Sequence, residues 1–71
     1  MSTMTLDQAC GAVERIRKIA ADGDDEDAHI HEDRLYMALL QAISDGACDD
    51  PAACAREALK AVDIRFYRWY A

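Results

Sequence analysis

The spacing of apolar residues is the feature that most constrains the fold of this chain. In three successive stretches, apolar residues recur every three or four positions, which places them on one face of a helix. The sequence therefore predicts an all-α fold, a small three-helix bundle with helices at about 5–21, 26–44 and 51–63. We expect the aromatic C-terminal tail, residues 64–71, to pack on the bundle, so that residues 1–71 form a single helical domain.

Residues that start and stop helices bound each stretch. Thr5 and Gln8 have the spacing of a capping box. Two Asp-Gly pairs place Gly23 and Gly46 where a left-handed residue ends the first and second helices. An Asp-Pro step puts Pro51 at the first position of the third helix, where a missing N–H costs nothing. The boundaries are therefore predicted independently of the apolar pattern.

Each helix has an apolar face that we expect to contribute to the core. The face of the second helix is unusually wide, because Tyr36, Leu40 and Ile43 extend it. Such a helix is either the central one or one that also meets a partner, including a second copy of the chain. The expected core faces are Leu6, Ala9, Cys10, Ala12, Val13, Ile16, Ile19 and Ala20 in the first helix, Ala28, His31, Leu35, Ala38, Leu39 and Ala42 in the second, and Cys54, Ala55, Ala58, Leu59, Ala61 and Val62 in the third.

Size and charge narrow the function classes. A chain of 71 residues with a formal charge of −6 repels phosphate backbones and anionic membranes. Arg56 and Lys60 on the third helix are too few for a DNA-reading helix. The sequence has neither a membrane-spanning apolar run nor the pattern of a signal peptide, and its odd cysteine count favours reduced thiols. We expect a cytoplasmic protein that binds no nucleic acid and no membrane.

Residues 22–33 contain seven carboxylates and both histidines. A calcium loop would need Gly where Asp27 stands, and a zinc ion would need more than a histidine and an acid one turn apart. A solvated loop that runs into a helix start explains the acids better, because the helix dipole favours negative charge there. Carboxylates around His31 also predict a mild pH response. The weaker metal hypothesis uses Asp22, Asp24, Glu26, His29 and Asp33.

The cysteines indicate neither a catalytic site nor a common zinc motif. Cys10 and Cys54 lie on apolar faces, and no pair has the two-residue spacing of a zinc knuckle. Cys48 precedes two acids, which disfavours a reactive thiolate. A disulfide between Cys48 and Cys54 remains an alternative in an oxidising environment. Because three short helices also leave little room for a ligand cleft, we expect no enzyme activity and no cofactor.

The tail "IRFYRWYA" has two interpretations. Ile64, Phe66 and Trp69 can complete a core that is too small to be stable alone. Aromatic and arginine side chains are also the types enriched at binding hot spots. The candidate residues for partner binding are Arg65, Tyr67, Arg68, Trp69 and Tyr70.

The stretches "HEDRLYMALLQAISDG" and "DDPAACAREALKAVDIRFYRWYA" resemble small uncharacterised helical proteins encoded by actinobacterial phages and prophages. That resemblance implies a phage-encoded accessory protein and supplies no catalytic residue. We therefore expect a small, acidic, non-catalytic interaction or regulatory protein that binds a host or phage protein. The alternative is an ion-binding or pH-responsive module built on residues 22–33. The residues that carry the resemblance are His31, Leu35, Ile43, Gly46, Pro51, Leu59, Phe66, Arg68 and Trp69.

Overall fold

The computed structural model describes residues 3–68, which form a small all-α three-helix bundle. The helices are α1, Leu6–Ala21, α2, Asp25–Ser44, and α3, Pro51–Leu59, and α3 continues as a 3-10 helix, Lys60–Asp63. The predicted fold class is thus confirmed, although the third predicted helix changes to the tighter 3-10 winding before its end. No helix in residues 3–68 is long and apolar enough to cross a membrane.

Local hydrogen bonds set the helix boundaries, as the sequence predicts. The backbone N–H of Gln8 donates to Thr5 Oγ1 at 3.2 Å, and the N–H of Thr5 donates to Gln8 Oε1 at 2.9 Å, which completes the capping box. Gly23 and Gly46 have φ values of 84° and 68°, a region in which other residues are strained. Asp50 accepts from the backbone of α3 and caps its start.

The core lies where α1 meets the other two helices. Its largest fully buried side chains are Ile16, Val13 and Cys54. Most other core positions are alanines, which allow close helix approach but contribute little apolar area each. The stability of the bundle therefore depends on a few larger side chains. The buried apolar residues are Met4, Ala9, Val13, Ile16, Ala28, Leu35, Leu39, Ala42, Cys54, Ala58, Ala61 and Ile64.

The buried stripe of α2 differs from the predicted one. Glu32 is buried, whereas His31 is only half-buried and Ala38 is exposed. The observed stripe runs from Ala28 through Glu32 and Leu35 in alternating steps of four and three, followed by Leu39 and Ala42. Because Glu32 is charged, the spacing of apolar residues alone does not predict this heptad-like stripe.

The predicted core face of α3 was also too wide. Leu59 and Val62 are 63% and 59% exposed, while Ala58 and Ala61 are buried. Residues three apart eclipse each other in a 3-10 helix. Because the winding tightens at Lys60, Ala61 follows Ala58 inward and Val62 follows Leu59 outward.

Beyond the 3-10 helix, residues 64–68 of the tail lie on the bundle as an extended segment. Ile64 is buried and Phe66 packs against the core, whereas Arg65 and Tyr67 are exposed. This alternation is that of an extended chain, in which successive side chains point in opposite directions. One edge of the tail thus completes the core, and the other edge faces solvent.

A short bridge holds the connector between α2 and α3 against the N-terminus. The backbone N–H of Met4 donates to Ala47 O at 3.1 Å, and the N–H of Asp49 donates to Met4 O at 3.3 Å. Met4 is buried and pairs with Cys48 as an isolated parallel bridge. The connector therefore has a fixed backbone next to the start of α3.

Candidate functional site

The most connected polar group in the described residues is an ion pair between Glu32 of α2 and Arg68 of the tail. Arg68 Nε donates to Glu32 Oε1 at 2.9 Å, and Arg68 Nη2 donates to Glu32 Oε2 at 2.8 Å. The Glu32 side chain is 5% exposed and the Arg68 side chain is 17% exposed. An arginine that donates two hydrogen bonds to one carboxylate, largely shielded from solvent, forms the strong type of carboxylate–guanidinium pair.

Further contacts tie this pair to the rest of the bundle. Arg68 Nη2 also donates to the backbone oxygen of Ala61 at 2.9 Å, and its guanidinium lies 3.8 Å from the centre of the Phe66 ring. The hydroxyl of Tyr36 donates to Glu32 Oε2 at 3.5 Å. The pair therefore joins α2, the 3-10 helix and the tail.

These contacts change the interpretation of the predicted partner-binding residues. Arg68 is engaged within the fold, because a buried carboxylate requires its charge. Arg65 and Tyr67 lie on the exposed edge of the tail. Trp69 and Tyr70 lie outside the described residues 3–68. Of the five candidates, Arg65 and Tyr67 are thus the two that the structure places at the surface.

The two ends of the helices in the acidic segment are capped by Asp22 and Asp24. Asp24 Oδ1 accepts from the backbone N–H of Asp27 at 3.1 Å and caps α2, and Asp22 is the C-terminal cap residue of α1. His29 Nε2 lies 3.4 Å from Asp33 Oδ2, one turn along α2. Glu26 is exposed.

The histidines of α2 make separate contacts. His31 Nδ1 lies 3.0 Å from the backbone oxygen of Asp27 and 3.4 Å from Asp27 Oδ1, whereas His29 faces Asp33. The two histidines thus do not share one set of acids. Within residues 3–68, the five predicted metal residues of the acidic segment do not form a group of three converging ligand atoms.

A different group of ligand atoms does converge. Cys48 Sγ, an Asp49 carboxylate oxygen and Cys54 Sγ all lie within 4.8 Å of one another. Cys54 Sγ is 3.9 Å from Asp49 Oδ1. Cys48 is half-buried, Cys54 is buried and all three cysteines of the chain are free thiols. The sequence left a pairing of Cys48 with Cys54 open as a disulfide, and both are free thiols in the structure. The approach of Asp49 to the two sulfurs was not predicted, because it depends on how the connector folds back over the first turn of α3.

The environment of Cys54 favours its protonated form. Burial raises the pKa of Cys54 to about 11, and the neighbouring Cys48 and the charge of Asp49 add to that effect. Burial also raises the pKa of Cys10, with a further contribution from Glu57. Neither thiol is therefore poised as a nucleophile at neutral pH.

This shift predicts a pH dependence of stability. Because the folded-state pKa of Cys54 lies above its ordinary value of 9.0, the neutral thiol stabilises the fold fully below pH 9. That contribution is lost as the pH rises towards 11. We expect the free energy of unfolding to fall over this window less steeply in Cys54→Ala than in the wild type. Urea unfolding at several pH values measures it, and equal slopes would contradict the prediction.

An open groove with a volume of about 480 Å³ lies between α1 and α2. Arg15, Arg34 and the half-buried His31 line it together with Gln8 and Met4. The groove is open, and its lining contains no nucleophile paired with a base.

Large apolar side chains are exposed elsewhere on the bundle. Met37 is 70% exposed, Leu40 and Leu59 are each 63% exposed, Tyr67 is 62% exposed and Val62 is 59% exposed.

Comparison of the chain with models of protein families, with curated proteins and with solved structures found no match. The helices and the net charge place this protein in the class of small acidic three-helix bundles.

Proposed function

We propose that this protein is a small, non-catalytic interaction protein that binds another protein through exposed apolar side chains. The observation that carries the proposal is the exposure of Met37, Leu40, Leu59, Val62 and Tyr67, each more than half accessible. We call these five residues the apolar surface. Large side chains of this kind cost solubility when left in water, and grouped exposure is typical of a binding surface.

The spacing of these residues groups four of them in two pairs. Met37 and Leu40 are three residues apart on α2, and Leu59 and Val62 are three apart at the end of α3. Residues three apart in a helix are neighbours on its surface. Since α2 and α3 contact each other, each pair extends from a helix that is already fixed in the bundle.

Charge indicates the chemistry of the partner. The first turn of α2 carries three acids, Asp25, Glu26 and Asp27, and the chain has a net charge of −6. A partner with an apolar patch beside basic residues would complement both features, and its charge would speed encounter. The resemblance to actinobacterial phage proteins supports a phage-encoded protein that acts on a host or phage protein in the bacterial cytoplasm.

The test compares two lysine substitutions on the same helix. Leu40→Lys places a charge in the apolar surface, whereas Gln41→Lys places the same charge at a neighbouring exposed position outside it. Proteins captured by crosslinking from an actinobacterial lysate are purified, and their affinities for wild type and both variants are measured. We expect Leu40→Lys to weaken binding by about tenfold or more, while Gln41→Lys binds like the wild type.

Circular dichroism establishes that both variants remain helical, and sedimentation velocity measures self-association. Equal affinities of Leu40→Lys and Gln41→Lys would contradict the proposal. If the wild type is a dimer that Leu40→Lys dissociates, the apolar surface is a homodimer interface and the proposal of a separate partner is wrong.

A further inference from the structure

Two thiols and a carboxylate, groups that can bind metal ions, meet where the connector between α2 and α3 turns into α3. Cys48 and Asp49 belong to the connector, and Cys54 lies in the first turns of α3. One ligand atom from each lies within 4.8 Å of the other two. Two sulfurs and one carboxylate oxygen are therefore already close enough to surround a single ion.

The distances are near those of a tetrahedral zinc site. With Zn–S of about 2.3 Å and Zn–O of about 2.1 Å, a sulfur and an oxygen on the same ion are about 3.6 Å apart. Cys54 Sγ and Asp49 Oδ1 are 3.9 Å apart. A small side-chain adjustment thus converts this thiol–carboxylate contact into two bonds to one ion.

The backbone around the cluster is held in place without an ion. The N–H of Asp49 donates to Met4 O, and the N–H of Ala47 donates to Ala42 O at 2.8 Å. The N-cap of α3, Asp50, accepts from Ala53 N at 3.1 Å. These bonds fix the backbone on both sides of the two connector ligands, so an ion would not have to order a loop.

From this geometry we propose that Cys48, Asp49 and Cys54 form a binding site for a thiophilic divalent cation, of which Zn²⁺ is the natural example. Two thiolates select a soft or borderline metal over calcium or magnesium. Three protein ligands leave a fourth tetrahedral position for water. This site is separate from the apolar surface and from the acidic segment, and it goes beyond the proposed function.

The charge of the cluster supports a cation. With both thiols ionised, the three side chains carry three negative charges. The ordinary state avoids this repulsion by keeping Cys54 protonated, since burial and its two neighbours raise its pKa. A divalent ion would replace the thiol protons and neutralise most of that charge.

The proposal is tested by titrating the reduced full-length chain with Cd²⁺, whose bonds to thiolates give a charge-transfer absorption band. We expect the band to saturate at one Cd²⁺ per chain and to disappear when a large excess of Zn²⁺ displaces the cadmium. Cys48→Ala should weaken binding by roughly 100-fold or more, since even loss of an outer partner of a metal ligand costs 10–100-fold. Asp49→Asn should also weaken it, because an amide is a poorer ligand than a carboxylate.

Two control variants distinguish this site from other binding. Cys10→Ala removes a cysteine outside the cluster, and the double variant Glu26→Gln/Asp33→Asn removes acids of the predicted metal segment. Both should bind like the wild type. Circular dichroism checks that each variant is folded, and Cys48→Ala changes only a half-buried side chain. A wild type without the band, or a Cys48→Ala variant that retains it, would overturn the proposal.

Discussion

Replacing Arg68 with alanine will lower the free energy of unfolding by about 3–5 kcal/mol, because it leaves a buried carboxylate without its cation. Glu32 is 5% exposed and receives two of the hydrogen bonds of Arg68. The variant also loses the bond to Ala61 O and the contact with the Phe66 ring. Small domains are stable by only a few kcal/mol. Arg68→Ala should therefore be largely unfolded, which circular dichroism and urea titration will measure.

The neighbouring arginine is the matched control for this substitution. Arg65 is exposed in the same tail, and Arg65→Ala should change the free energy of unfolding by no more than about 0.5 kcal/mol. The double variant Glu32→Leu/Arg68→Met should recover most of the loss, because no unpaired charge remains buried. Equal stabilities of Arg65→Ala and Arg68→Ala would show that the ion pair does not hold the tail.

This result bears on how the binding function is studied. A chain shortened after Asp63 would lose Ile64, Phe66 and Arg68 together and would expose Glu32. If such a chain failed to bind a partner, the cause could be unfolding of the bundle or removal of a contact residue, and the experiment would not distinguish the two. Point substitutions such as Leu40→Lys, at an exposed position, avoid this ambiguity.

The second large effect is expected in the apolar core. Ile16 is fully buried and is among the largest side chains that the bundle buries completely. Ile16→Ala should reduce the free energy of unfolding by about 2–5 kcal/mol. The removed carbon atoms leave a cavity, because the surrounding helices move only partly into the space. Urea unfolding should show a lower midpoint with an unchanged slope if the native fold persists.

Ile30→Ala is the matched control, because it makes the same chemical change on α2 at a side chain that is 41% exposed. There the loss of apolar contact is partly offset by the higher helix propensity of alanine. We expect a change below about 1 kcal/mol. A comparable loss at both positions would mean that the core is not centred on α1.

The helices and their ends could be predicted from the sequence because their causes are local. The Thr5–Gln8 capping box, the left-handed conformations of Gly23 and Gly46 and the start at Pro51 depend on residues a few positions apart. Such contacts form in any chain that bends the same way. The apolar periodicity then sufficed to predict a three-helix bundle.

The width of the apolar faces could not be predicted in the same way. Leu40, Leu59 and Val62 fit the helical pattern but remain exposed, because the neighbouring helices cover the adjacent positions instead, Leu39, Ala58 and Ala61. Periodicity gives the direction of a face and not the extent of the surface that covers it. In the proposed function, a partner protein covers the apolar side chains that the bundle leaves exposed.

The candidate sites depend on contacts between residues that are distant in sequence or separated by a turn. Glu32 and Arg68 are 36 residues apart, and the only sequence sign of their pairing is an acid within the buried stripe of α2. Cys48, Asp49 and Cys54 match no metal-binding spacing, yet the bridge to Met4 brings their ligand atoms together. The sequence by itself determined the helices, their caps and the net charge, because these follow from neighbours along the chain. Only the tertiary structure decided which charge is buried and which thiols meet, because burial and convergence depend on how the helices pack.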